Sequence, residues 1–145
     1  MEGLIKKRIY GIDGMEVFLV DGAFVRNHIS DEFIGGGNPF VYAYIHDGEY
    51  WLEEANVLDE KKFAFYTLVH EMYESWRTVH LMEQYKEAHD MANLVEQKCR
   101  TALIDVDGEA ITPDGMRKLI RTCMERIDDE RLVEWLGQKY LTVVD

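Results

Sequence analysis

The sequence has few of the features that mark secreted or membrane-spanning proteins. It contains two cysteines, Cys99 and Cys123, which are too far apart for a CxxC pair, so we expect buried free thiols in a reducing compartment, the cytoplasm. No apolar run reaches the roughly 18 residues that cross a membrane, and no apolar segment follows the basic residues 6–8 as in a secretion signal. There are only two prolines and no repeat, so nothing indicates a linker.

Positive charge is also scarce. The chain has 16 lysines and arginines against 28 acidic residues, a net charge of −12. Such a surface repels phosphates, which argues against direct binding to nucleic acid. The charge suits solubility, and it would also suit a protein that binds a basic partner or imitates nucleic acid. P-loop, GxGxxG and GxSxG motifs are absent as well.

The first half of the chain has the alternation and turn residues of strands. Two hairpins are predicted, one from residues 15–20 and 23–29 around Asp21-Gly22, the other from residues 40–45 and 49–52. A shorter strand is predicted near residues 5–10. Three glycines followed by Asn-Pro predict a loop at residues 34–39.

The second half has helical periodicity. Asp59 is predicted to cap a helix that runs to about residue 78, and a second helix follows over residues 85–100. After an extended piece at residues 102–106, Thr112 is predicted to cap a helix that ends near residue 127. A last helix is expected over residues 129–137.

This order of elements predicts an α+β fold, with the helices on one face of an antiparallel sheet. The length of 145 residues favours one domain. We expect a metal-binding core of residues 1–100 and a C-terminal helical extension of residues 101–145, which is too short for a separate domain and so belongs to the same one.

The two central helices carry histidines and carboxylates at helical spacings. At about 100° per residue, His70 and Glu74 fall on one edge of an apolar arc, and His89 and Glu96 do the same on the next helix. If the two apolar arcs pack together, the four side chains meet. Their carboxylates then need a cation, which is either a divalent metal ion or a nearby arginine.

These residue types are those that a catalytic zinc ion binds, with three protein ligands and one position left for water. We expect His70, Glu74 and His89 to be ligands. Glu96 is either a fourth ligand or an acceptor that orients a ligating histidine. Glu71 projects to one side, where it would act as the general base.

The segment His70-Glu71-x-x-Glu74 resembles the HExxE form of the zincin-like metallopeptidases. Residues 20–100 are more closely similar to a family of small, mostly uncharacterised phage and bacterial proteins. The shared positions are Asp21-Gly22 and Arg26, Phe33 with Gly35-Gly36, Trp51-Leu52-Glu53, the HExxE segment, and Tyr85, Ala88-His89, Ala92, Glu96 and Arg100. The resemblance implies a metal-binding hydrolase.

The chain departs from that family pattern in three places. The family has a histidine after the glycines, where this chain has Gly37-Asn38, so no ligand is assigned to the glycine loop. The connection over residues 76–84 lacks an expected glycine, and the segment after Thr101 lies outside the resemblance.

Two functions are consistent with these patterns. The first is a small peptidase that depends on zinc or another divalent metal and acts on a peptide or protein substrate. The second is a non-enzymatic acidic protein, such as a phage-encoded inhibitor of a host nucleic-acid-binding system, with a structural metal site or none. Glu53 and Glu54, at the end of the strand before the first central helix, are further candidates for contact with the metal.

Overall fold

The computed structural model describes residues 3–145, which form a mixed sheet followed by helices. The strands are β1 (Lys6–Ile12), β2 (Met15–Val20), β3 (Gly36–Gly37) and β4 (Glu49–Glu53). The helices are α1 (Gly22–His28), α2 (Glu54–Asp59), α3 (Phe63–His80), α4 (Tyr85–Ala102), α5 (Pro113–Arg126) and α6 (Glu130–Thr142). The predicted α+β class is confirmed.

The strand order of the sheet is β1-β2-β4-β3. β1 and β2 form an antiparallel hairpin around Asp13-Gly14, which adopt φ angles of 60° and 72° as a tight turn requires. β2 pairs with β4 in parallel, whereas an antiparallel sheet was expected. A parallel pair needs a crossover connection, and residues 21–48 form it.

The two hairpins predicted after β2 are wrong, each for a local reason. The carboxylate of Asp21 accepts a hydrogen bond from the Phe24 amide at 3.1 Å, so Asp21-Gly22 begins a helix and does not form a turn. Residues 40–45 form turns, closed in part by the Tyr42 amide donating to the Asn38 carbonyl at 3.1 Å. The strand expected over residues 49–52 is present as β4.

The central helices occupy the predicted segments, with one difference at the start. Asp59 ends α2 and is not the cap of α3, which begins at Phe63. Among the described residues, no helix is both long enough and apolar enough to cross a membrane.

The C-terminal helices begin where the sequence predicts. Thr112 caps α5 by accepting a hydrogen bond from the Gly115 amide at 3.1 Å. Asp129 caps α6, which continues to Thr142 and so passes the predicted end at residue 137. Residues 102–106 end α4 and form a turn, so the extended piece expected there is absent.

One apolar core joins the sheet, the central helices and the C-terminal helices. It includes residues on both sides of position 101, among them Tyr50, Leu52, Leu68, Met116 and Leu119. Across that position the Tyr10 hydroxyl also donates to the Ala110 carbonyl at 2.5 Å. Residues 101–145 therefore pack within the same core as the preceding part of the chain. Cys99 and Cys123 belong to this core as buried free thiols, as expected.

β4 places its residues on both faces of the sheet. Tyr50 and Leu52 enter the main core, whereas Trp51 enters a smaller apolar cluster with Val25 of α1 and Phe33 of the crossover. This alternation follows from the two-residue period of a strand. The sheet is therefore covered on both faces, and the end of β4 lies between the crossover and α3.

Candidate metal centre

Three candidate ligands converge between α3 and α4. His70 Nε2 lies 3.2 Å from Glu74 Oε2, one turn further along α3. His89 Nδ1 reaches the same oxygen from α4 at 2.7 Å, and the two imidazole centroids are 4.9 Å apart. One carboxylate oxygen thus lies between two histidine nitrogens, and the ligand atoms of the three residues lie within 4.8 Å of one another.

This spacing fits a small divalent ion. Two ligands about 2.1 Å from a tetrahedral zinc ion lie about 3.4 Å apart. The 3.2 Å between His70 Nε2 and Glu74 Oε2 is close to that value. The 2.7 Å between His89 and Glu74 is a hydrogen-bond length, so this pair would open slightly around an ion. Two imidazoles and one carboxylate form a known ligand set of catalytic zinc.

Glu96 lies on the other side of the His70 ring. Its Oε1 is 3.2 Å from Nδ1, whereas Nε2 faces Glu74. This is an ion-pair contact, not an aligned hydrogen bond, because the buried Nδ1 has no hydrogen-bond partner among residues 3–145. The structure therefore places Glu96 outside the three-residue group. Both roles expected for Glu96, a fourth ligand or an acceptor that orients the ring, stay predictions.

Glu71 lies beside Glu74 and is 6% exposed, at the wall of the same cavity. Burial is the main cause that raises its pKa to about 7, and the nearby charge of Glu74 adds to it. A carboxyl group with that pKa can both accept and release a proton near neutral pH, as a general base must.

The charges of the ligand group are coupled. Burial lowers the pKa of His70, but its contacts with Glu74 and Glu96 outweigh burial and raise that pKa to about 10. Burial raises the pKa values of Glu74 and Glu96, but contacts with His70 and His89 hold the pKa of Glu74 below the ordinary range, and contacts with His70 and Arg100 do the same for Glu96. Without a metal ion, a protonated His70 therefore balances part of the negative charge. Metal binding would displace that proton.

Two arginines were alternative cations for these carboxylates, and one of them, Arg100, pairs with Glu96 of the cluster. Arg77 Nε donates to Glu83 at 2.7 Å. Arg100 Nε donates to Glu96 Oε2 at 2.9 Å, and its Nη1 lies 3.7 Å from Glu60. Neither arginine forms an ion pair with Glu71 or Glu74 in the described part of the chain. Glu74 contacts the two histidines instead, and Glu71 forms no ion pair with any described residue.

Asn38 is a site residue that the sequence reasoning missed. It is fully buried, and its Nδ2 donates to Glu71 Oε1 at 2.9 Å and to Glu74 Oε1 at 3.2 Å. Its Oδ1 accepts from the amides of Phe40 and Val41 at 3.0 and 3.2 Å. The signal that could have revealed it is the Asn-Pro pair after the glycines, because an asparagine oxygen readily accepts from backbone amides further on.

The glycine loop brings Asn38 against α3. A Cβ on Gly36 would lie 2.4 Å from Thr67 Cγ2, and one on Gly37 would lie 2.7 Å from Ile45 Cδ1. A side chain at position 36 would force the loop away from the helix, and one at position 37 would push against Ile45 of the crossover. Because Thr67 lies one turn before Glu71 on α3, this close approach carries Asn38 over the site carboxylates.

Glu53 and Glu54 lie outside the metal group. Glu53 forms a two-pronged pair with Arg26, with Nη1–Oε1 and Nη2–Oε2 distances of 2.7 and 2.8 Å. The hydrogen bonds from Arg26 hold the pKa of Glu53 below its ordinary range, although burial opposes them. The Gly35 amide also donates to Glu53 Oε1 at 3.3 Å, so this pair anchors the glycine loop. Glu54 pairs with Lys7 at 2.6 Å.

A cavity of about 450 Å³ opens beside the three-residue group. Its wall includes the carboxylates and histidines already described, together with Tyr42, Tyr85 and Arg100. Tyr85 stacks on His89, with ring centroids 5.1 Å apart, and its hydroxyl lies 3.3 Å from Nδ1. The group is therefore reachable from solvent, and the space beside it is the size of a small-ligand pocket.

Comparisons of the chain with protein-family models, curated proteins and solved structures gave no match. The resemblance to zincin-like proteins stays a prediction that depends on the motifs described above. Function has to follow from the chemistry of the site.

Proposed function

We propose that the protein is a metal-dependent hydrolase, most simply a small zincin-like peptidase. In this proposal His70, Glu74 and His89 bind zinc or another divalent ion, and Glu71 is the general base. One observation carries it: two imidazoles and a carboxylate converge at a cavity wall beside a second carboxylate that is not part of the group. Structural zinc sites are usually closed by four protein ligands, whereas three leave a position for reactants.

A divalent ion in this group would supply Lewis acidity, which polarises a carbonyl oxygen and lowers the pKa of water. The protein's own contribution is to hold and move a proton. Glu71, with its pKa raised to about 7 by burial, accepts a proton from the attacking water and returns it to the leaving group. A positioned general base of this kind contributes roughly 10²–10⁴-fold to a rate.

The substrate we propose is a peptide or protein segment, and a basic one is favoured by the net charge of −12. The same charge disfavours nucleic acid as a partner. We place the protein in the cytoplasm, a location supported by the free thiols Cys99 and Cys123, which are both buried.

The first test is the metal content of protein purified without a chelator. We expect about one divalent ion per chain, and we expect His70→Ala and His89→Ala to lose it because each removes one of three ligands. His46→Ala is the matched control, since His46 is exposed and distant in sequence from the group. Wild-type protein that takes up no stoichiometric metal would contradict the proposal.

The second test separates catalysis from metal binding. Glu71→Gln should keep the metal and lower hydrolysis of a mixed peptide library by roughly 10²–10⁴-fold, because the amide cannot accept a proton. Glu125→Gln, at an exposed position on α5, is the control. Hydrolysis that is the same in both variants would show that Glu71 is not the base.

A non-enzymatic acidic protein is the second candidate. Two observations favour it. His89 and Glu74 form a 2.7 Å hydrogen bond, and the raised pKa of His70 keeps its ring protonated, so part of the negative charge of the cluster is balanced without a metal ion. Such a protein would use its charge of −12 to bind a basic partner. A basic protein captured from bacterial lysate equally well by wild type and Glu71→Gln, together with absent metal uptake, would favour this candidate.

A further inference from the structure

We infer that Asn38 is a positioning residue. It holds Oε1 of Glu71 and Oε1 of Glu74 by hydrogen bonds, so that Oε2 of Glu74 can bind the ion and Oε2 of Glu71 can accept a proton. This inference rests on the proposed function, because it concerns how the same group holds an ion and keeps its base free. Asn38 touches neither histidine among the described hydrogen bonds, so its effect passes through the two carboxylates.

The orientation of the Asn38 amide is fixed by its own loop. Its oxygen accepts from the backbone amides of Phe40 and Val41 at 3.0 and 3.2 Å. The nitrogen must therefore point the opposite way, where Glu71 and Glu74 lie. The side chain is fully buried, so no water competes for these contacts from bulk solvent. The amide is thereby a fixed, uncharged donor to two carboxylates at once.

For Glu74, this donor separates the two oxygens. Oε1 accepts from Asn38 at 3.2 Å, whereas Oε2 lies between His70 Nε2 and His89 Nδ1. Binding an ion through both oxygens would require Oε1 to leave the amide. Asn38 therefore favours coordination through Oε2 alone, which keeps the number of protein ligand atoms at three.

For Glu71, the same donor keeps the base away from the ligand group. Oε1 accepts from Asn38 at 2.9 Å, and Oε2 forms no hydrogen bond with any residue from 3 to 145. Glu71 lines the cavity, so Oε2 is available to take a proton. Without the amide, Glu71 can rotate toward the ion as an additional ligand and Glu74 can bind through both oxygens, so the coordination number rises above the four supplied by three protein ligand atoms and one water.

Asparagine suits this position better than aspartate. An aspartate would retain the oxygen that accepts from Phe40 and Val41, but it would turn a second oxygen toward two carboxylates. Two like charges at hydrogen-bond distance cannot both ionise without a large penalty. The side chain at this position must be an uncharged donor, and its acceptor atom must be held by the backbone amides. Asparagine meets both requirements, through Nδ2 and Oδ1 respectively.

The test uses cobalt(II) alone as the probe and compares visible absorption per bound ion, which is stronger for four-coordinate than for five- or six-coordinate cobalt. Asn38→Ser replaces the two N–H donors of the amide by a shorter hydroxyl with a single proton, which cannot serve both carboxylates, and it keeps an oxygen for the loop amides. We expect wild type to give the intense four-coordinate spectrum. We expect Asn38→Ser to lose much of that intensity, because freed carboxylate oxygens add to the coordination. Asn27→Ser, at an exposed position on α1, should match wild type.

Asn38→Leu is the second variant, because leucine has nearly the shape of asparagine and fills the same buried space if the serine variant does not fold. It should show the same loss of intensity, since it lacks the donor and adds no oxygen that could bind the ion. Thermal unfolding of the metal-free variants checks that they are folded. Wild type that binds no cobalt would overturn the proposed function itself. Wild type that binds cobalt, with an unchanged spectrum in a folded Asn38 variant, would overturn the positioning role alone.

Discussion

Glu53 and Glu71 are both buried glutamates that accept a hydrogen bond from the glycine loop, yet their surroundings are opposite. Glu53 meets the Arg26 guanidinium through both oxygens, and that contact lowers its pKa. Glu71 shares an amide donor with a second carboxylate, forms no ion pair with any described residue, and has its pKa raised to about 7 by burial.

The difference separates a structural pair from a functional group. A buried carboxylate that has its cation holds neighbouring segments together, and removal of one partner leaves the other unpaired. A buried carboxylate without a cation is ready to bind a proton or an ion from outside. The same substitution, glutamate to glutamine, should therefore change stability in opposite directions at the two positions.

The largest effect is expected for Glu53→Gln, which leaves Arg26 without its charged partner and weakens the anchor of the glycine loop. We expect a loss of about 2–3 kcal/mol in the free energy of unfolding at pH 7, measured with urea. Because the pKa of Glu53 is lowered in the folded state, its contribution is present above about pH 4.5 and disappears as pH falls through the folded pKa.

Glu54→Gln is the matched control for that prediction. Glu54 is the next residue in the chain, and its partner Lys7 is largely exposed, so the pair should contribute at most about 1 kcal/mol. Equal losses in the two variants would contradict the structural role of the Arg26–Glu53 pair.

Gly36→Ala tests the glycine loop, which donates hydrogen bonds to both Glu53 and Glu71. The added Cβ would approach Thr67 Cγ2 within 2.4 Å, so the loop must move from α3, at a cost of about 2 kcal/mol. Urea unfolding measures this cost. Gly137→Ala is the contrasting variant, since its Cβ meets a flexible Met124 methyl at 3.1 Å and alanine is favoured within α6. A tolerated alanine at position 36 would show that the close approach is dispensable.

Glu71→Gln should stabilise the metal-free protein by about 1–2 kcal/mol at pH 8. The sign follows from the raised pKa: the carboxylate destabilises the folded state above about pH 7, and this penalty disappears below about pH 4.5. Urea unfolding in EDTA at pH 8 and at pH 4 measures the gain and its disappearance. A loss of stability at pH 8 would remove the contrast with Glu53.

The smallest effect is expected at the exposed Lys86–Asp90 pair of α4, whose charged atoms are 3.1 Å apart. Lys86→Ala should change the free energy of unfolding by about 0.3–0.5 kcal/mol and leave metal uptake unchanged. A larger effect would mean that surface charge contributes more to this protein than its buried clusters suggest.

The part of the site that the sequence predicts is the part that depends on local periodicity. His70 and Glu74 are one helical turn apart, and a four-residue connection brings His89 of the next helix against them. The cap of α5 at Thr112 was predictable for the same reason, because the donor lies three residues away.

The rest depends on contacts between distant segments. The Asp21-Gly22 pair is compatible with either a turn or the start of a helix. In the structure a helix forms, and it buries Val25 in the smaller apolar cluster, a contact that the local sequence does not reveal. The parallel pairing of β2 with β4 spans a long crossover that no short pattern specifies. Asn38 reaches Glu71 across 33 positions in the sequence, so its role is visible only once the crossover is folded.

The proposed metal ligands and part of the cavity wall come from separate segments of the chain, and this separation has a consequence for redesign. The histidines and Glu74 come from one helical hairpin, whereas Asn38, Tyr42 and the nearby cavity wall come from the crossover. Surface connections tolerate changes of length and sequence better than the elements they join. An engineer could therefore diversify Tyr42 on the cavity wall to seek new substrates while keeping the helical hairpin and the Asn38 loop constant, and treat ion affinity and substrate choice as two separate selections.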